Sequence, residues 1–134
     1  MQLIITLQLA GIAALIAAPS VRTFSAQYQL SSASNQLGFD IVRARMQAVG
    51  QNQFVRIRML SGVQYVRETS TNGSTWSNQV TKNLPSGVTA TPTSAQVQFD
   101  KRGFATVNNS VTLSNSLGRV KTVATSIIGR VTVA

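Results

Sequence analysis

From Leu3 to Ala18 the chain is apolar except at Thr6, Gln8 and Gly11. Wound as a helix, that run rises about 24 Å, slightly less than the hydrocarbon thickness of a bilayer. Three environments suit such a segment: a membrane, the export machinery that reads a signal peptide, or the centre of a protein core. No Lys or Arg precedes the run, and Pro19 follows Ala17-Ala18 where a signal peptidase would cut, which argues against a signal peptide. A core helix would have to be surrounded on all sides, and the roughly one hundred residues that follow are too few for that. The pattern therefore predicts a helix in lipid or packed among neighbouring chains, carried by Leu3, Ile4, Ile5, Leu7, Leu9, Gly11, Ile12, Leu15, Ile16 and Pro19.

Beyond Pro19 the pattern becomes one-sided. Apolar or small residues recur at Phe24, Tyr28, Ala33, Leu37, Ile41, Ala44 and Ala48, spaced mostly by three and four. Gln27, Gln29, Ser34, Asn35, Gln36, Arg43, Arg45 and Gln47 fill the opposite face, and Gly50 supplies a helix stop. The expectation is one helix over about residues 2–49, kinked near Pro19, whose second half packs on a sheet.

From Gln53 the period drops to two. In Phe54-Val55-Arg56-Ile57-Arg58-Met59, the residues Val55, Ile57 and Met59 point one way and the two arginines the other, as in a half-buried antiparallel strand. Further strands are predicted at 63–67, 79–82, 88–91, 97–99, 104–107 and 111–114, with an exposed loop at 69–78 in which Trp76 folds back. The tail, Val120 to Val133, reads as two strands broken at Gly129-Arg130. A long helix followed only by strands defines an α+β fold, the helix covering one face of an antiparallel sheet.

Charge changes the picture of partners, not of fold. Lys and Arg number 12 against 3 Asp and Glu, giving +9, so the surface field favours anions such as nucleic acid or acidic lipid. The bland alternative is a self-repelling, soluble surface with strand edges protected by cations. Cysteine and histidine are both absent, which excludes disulfides, thiol chemistry and imidazole catalysis. The three carboxylates, Asp40, Glu68 and Asp100, fall in different elements; Asp40 is expected to pair with Arg43, and Asp100 to serve the turn before Gly103. No phosphate-cradling or metal-ligand motif occurs, so neither an enzyme nor a cofactor is expected. Two basic groups stand out: Arg43, Arg45, Arg56 and Arg58 near the helix-to-sheet junction, and Arg119, Lys121 and Arg130 in the tail. The second is the candidate contact set for DNA or another anion.

These residues together resemble the type IV pilin-like proteins, in particular the minor pseudopilins and minor pilins of the H and T group. Gly11 to Pro19 is similar to the second half of the pilin N-terminal helix, Leu37 to Gly50 to the group's amphipathic helix end with Arg43 and Gly50-Gln51, and Val97 to Gly103 to its strand-then-glycine turn. Leu117-Gly118-Arg119-Val120 and Ile128-Gly129-Arg130-Val131 resemble its C-terminal strands. The resemblance implies residues 1–21 as a membrane or filament-core helix and 22–134 as one soluble domain, with helix 22–49 and sheet 53–134. It implies a non-catalytic filament subunit of a pilus or type II secretion pseudopilus, held in the inner membrane before assembly, with its body in the periplasm or outside the cell and other pilin or pseudopilin subunits as partners. The alternative it implies is a minor pilin that binds DNA for uptake. In two places the chain departs from the family. Gln2 stands where the family carries a glutamate, and Thr132 stands where DNA-binding members carry the second arginine of Gly-Arg-x-Arg.

Overall fold

The computed structural model describes residues 2–134, without the side chains of residues 16–19 and 78. Ile16 and Pro19, named for the apolar helix, fall in that undescribed set. One helix, α1, runs from Gln2 to Gln51 and is continuous through Pro19. Its end lies past the expected glycine. Asn52 takes the left-handed conformation at φ 51°, and the Gln53 amide bonds back to the Ala48 carbonyl at 3.1 Å, closing the last turn.

Eight strands follow: β1 (Phe54–Ser61), β2 (Gln64–Ser70), β3 (Ser77–Asn83), β4 (Thr89–Pro92), β5 (Gln96–Phe99), β6 (Asn109–Ser114), β7 (Val120–Thr125) and β8 (Val131–Val133). They form two antiparallel sheets, β3-β2-β1-β5 and β4-β6-β7-β8, where the sequence suggested one. The helix packs against both.

The break between the sheets explains the one expected strand that does not form. Residues 104–107 make only an isolated bridge, Phe99 to Ala105. The Asp100 carboxylate accepts the amides of Arg102 and Phe104, tightening the turn as anticipated, and the backbone that leaves it is shared between two partners. Ala105 N–H bonds to Ile127 O at 2.8 Å and Thr106 N–H to Gln98 O at 3.0 Å, so neither ladder extends through the segment.

The period-two reading places Val55 and Ile57 inward, opposite Phe99 and Val97 across the β1–β5 ladder. Val111 faces Val123 in the second sheet. Leu37, Ile41, Ala44 and Ala48 of the helix close the core over both. Small residues bring the helix close: a Cβ on Gly38 would lie 2.9 Å from Val133 Cγ2. Contact with the body begins near Ala26 and Leu30, and the expected contacts at Phe24 and Tyr28 do not form, because both side chains lie exposed, Phe24 ahead of the first contact and Tyr28 on the side of the helix away from Leu30. Ser34, assigned to the polar face, is instead buried, and its hydroxyl donates to the carbonyls of Leu30 and Ser31 one turn back.

Candidate functional site

The N-terminal part of α1 stands clear of the body. Leu3, Ile4, Ile5, Leu7, Leu9, Ile12 and Leu15 are between 55% and 79% exposed, and Gly11 has open space around it. An 18-residue window of this helix has mean hydropathy 2.0 and none of it is buried, making it long and apolar enough to cross a membrane. Thr6 Oγ1 donates to the carbonyls of Gln2 and Leu3, so its hydroxyl needs no water. Gln2 contributes an uncharged amide at the exposed start. A contiguous apolar surface of this extent is stable only when lipid or protein covers it.

The carboxylates lie elsewhere and are fully engaged. Asp40 does not meet Arg43. It shares the buried stripe with Leu37 and Ile41, whereas Arg43 faces solvent, and β3 supplies Lys82 instead, with Nζ at 2.8 and 2.9 Å from the two carboxylate oxygens. The Tyr65 hydroxyl donates to the same carboxylate at 2.5 Å and accepts from Gln36 Nε2 at 3.4 Å. Burial, reinforced by the bond to Asp40, holds the Tyr65 phenol well above its ordinary pKa. Glu68, also buried, receives Arg58 in two bonds of 2.9 and 3.2 Å and Arg56 at 2.5 Å. The Arg58 hydrogen bond leads in holding its carboxyl below the usual range, outweighing the opposing effect of burial. Arg56 also lies 4.0 Å above the Trp76 ring, which fixes the folded-back indole.

These contacts dissolve the first basic group. Arg56 and Arg58 share the single negative charge of Glu68, and Arg45 lends Nε to Gly103 O at 3.0 Å and Nη1 to Gly129 O at 3.2 Å. The second group is divided. Arg119 and Lys121 come together in a groove with Gln27 and Ser31, where the helix crosses the start of β7. Arg130 lies beyond the other end of β7, in a groove of about 490 Å³ with Thr132, Ser110 and Ser126. The four steps from Lys121 to Thr125 alone span about 13 Å of strand. Sequence reasoning did not join Arg130 to Lys101 and Arg102, which stand in the turn that meets its own. Gly103 and Gly129, both at positive φ, touch beneath Arg45 and bring their turns together. A pair of glycines so far apart in the chain carries no pairing signal in one sequence.

Among the described residues no cluster of His, Cys, Asp or Glu could hold a metal ion, and the grooves contain no acid–base pair. What the geometry offers is surface: an apolar rod and a cationic body.

The fold is similar to those of a minor pilin and a minor pseudopilin. The type IV minor pilin FimU of Pseudomonas aeruginosa superposes with a TM-score of 0.69 at 18% identity, over 83% of this chain and 92% of that one. The minor pseudopilin EpsH of the Vibrio cholerae type 2 secretion system gives 0.68 at 10% identity, over 79% of this chain and 96% of that one. No curated protein matches the chain by sequence. The family described as Type II transport protein GspH matches residues 33–129 of the 134, and the chain belongs to that family, whose members are structural and not enzymatic.

Proposed function

We propose that the chain is a non-catalytic subunit of a type II secretion pseudopilus or a type IV pilus-like filament. Residues 1–21 anchor it in the inner membrane before assembly and then pack among the helices of other pilin or pseudopilin subunits. Residues 22–134 form the soluble body in the periplasm or on the filament. The observation that carries this reading is the exposure of the apolar half of α1: no surface of its own body covers it. Gln2 makes no charged contact with a neighbour's amine, so docking rests on apolar packing along the rod.

The test is insertion of the full chain into lipid vesicles, compared with a Leu7→Asp/Ile12→Asp variant. Protection of the helix from added protease, lost in the variant, supports the reading. A full chain that stays in the aqueous phase overturns it.

A second reading, a minor pilin that binds DNA for uptake, is favoured by one observation. All three side-chain carboxylates are spent inside the fold, so the surplus of cations faces outward. Arg119, Lys121 and Arg130 are its contacts. Salt-sensitive binding of duplex DNA by the detergent-solubilised chain, abolished by alanine at these three positions, supports it. Absence of binding at physiological salt removes it.

A further inference from the structure

At the end of the body beside the C-terminal turns of α1, two turns are joined into one surface. Ala105 N–H bonds to Ile127 O, and Ile127 N–H bonds to Asn108 Oδ1 at 2.8 Å. Gly129 lies against the Gly103 carbonyl under the Arg45 guanidinium. Phe104 and Ile128 each lie between these two contacts, on the joined segments. Both side chains are exposed, as are Ile127 and Val107 on the same two segments, and Val49 of the helix, whose Cγ2 abuts Gly103, continues the patch. Around it stand the exposed Lys101, Arg102 and Arg130. Among the described residues, the guanidiniums of Arg102 and Arg130 meet no carboxylate. The carboxylate of this region, Asp100, is turned onto the amides of Arg102 and Phe104.

We propose that this clasped pair of turns is the docking surface for a different protein subunit, one presenting an apolar centre rimmed by carboxylates. Three observations select that occupant. A second copy of the chain brings 12 cations and three side-chain carboxylates, each already engaged, so copies repel at this face. Nucleic acid would use the cations and leave the exposed isoleucines and Phe104 in water. A bilayer would suit apolar and basic residues together, but α1 holds the patch away from the membrane it enters. From Arg22 to Arg45 the helix rises about 35 Å. That last step rests on the membrane reading of the N-terminal helix. The clasp gives the surface its rigidity, since Arg45 ties both turns to the helix before a partner arrives.

The experiment is photo-crosslinking of the full chain in envelopes of cells that make it with its native neighbours. A benzophenone amino acid replaces Ile128 in one variant and Ile12 in another, and adducts are sequenced by mass spectrometry. The proposal expects the Ile128 adduct to fall on another protein, at an apolar segment flanked by Asp or Glu. It expects the yield to drop at least tenfold with Arg102→Glu/Arg130→Glu and to return when the flanking carboxylates are changed to Lys. An adduct to the chain itself, to lipid or to DNA overturns it, as does a yield indifferent to the charge reversal. An Ile12 adduct without one at Ile128 overturns the docking surface and leaves the filament reading standing, whereas adducts at neither position remove both. Thermal melts of each variant against the parent show that lost adducts do not come from unfolding.

Discussion

Lys82 of β3 grips both carboxylate oxygens of Asp40 on α1, at 2.8 and 2.9 Å, and so fixes the rotation of the helix over the first sheet. The two partners are not equally placed. The Asp40 side chain is 4% exposed and that of Lys82 is 35% exposed. Removing the lysine leaves a buried charge with the Tyr65 hydroxyl alone beside it, whereas removing the charge frees a lysine that can swing into water. Lys82→Met is therefore expected to cost about 3–5 kcal/mol, and Asp40→Asn, which keeps the shape and a hydrogen-bond acceptor for Tyr65, about 1–2 kcal/mol. Urea denaturation of both variants checks the order; equal losses would mean that the pair behaves as an exposed ion pair.

Two separate sites, Glu68 with its arginines and Tyr65 with Asp40, make stability respond to pH at both extremes. Glu68 has its pKa lowered by folding, so its contribution is present above the ordinary carboxylate range and is lost as pH falls through the depressed folded value. Tyr65 has its pKa raised, so its contribution is intact below about 10 and declines above that, where the unfolded phenol ionises and the folded one does not. Denaturant midpoints from pH 2 to 11 should show both declines. Glu68→Gln should flatten the acid limb selectively and Tyr65→Phe the alkaline one.

Gly129 and Gly118 are both turn glycines at positive φ, yet their replacement by alanine should differ sharply. At Gly118 the space around a new Cβ is open, leaving only the left-handed backbone cost of about 1–2 kcal/mol. At Gly129 the Cβ would stand 2.5 Å from the Gly103 carbonyl oxygen and 2.6 Å from Arg45 Nε. Relief requires the two turns to part and Arg45 to release its carbonyls, so Gly129→Ala should cost at least about 2 kcal/mol more. Amide exchange should locate the damage, with Ala105 and Gly129 losing protection while β1 and β2 keep theirs.

The fold was readable in the sequence where one period governed a long segment. Apolar spacing marked α1 as far as Ala48, alternation marked β1, and β-branched residues marked the two tail strands. It failed where a residue's partner lay far along the chain. Asp40 has a plausible neighbour in Arg43 one turn away, and nothing local announces Lys82, 42 residues on. Arg45 reads as a solvent-facing cation because its acceptors are backbone carbonyls, which every residue has. Residues 104–107 alternate like a strand, yet their hydrogen bonds are divided between β5 and the turn before β8. Of the candidate anion contacts, the adjacency of Arg119 and Lys121 followed from spacing. The separation of Arg130 depends on β7 and β8 pairing as a hairpin with the arginine at its turn.

That hairpin also makes the departure at Thr132 testable. Arg130 and Thr132 are two residues apart on one edge of the second sheet and line the same groove, so a second cation at 132 would sit beside the first over a shallow polar surface. If the groove contacts phosphate, Thr132→Arg should tighten duplex DNA binding by the full chain and steepen the salt dependence by about one phosphate contact. Thr132 is exposed near the chain end, so the substitution should leave the thermal midpoint unchanged. Filter binding at 50, 100 and 200 mM salt measures both quantities. A parallel increase with Thr122→Arg, on neighbouring β7, would show that added charge alone is responsible, whereas an increase confined to position 132 places the contact in the groove with Arg130.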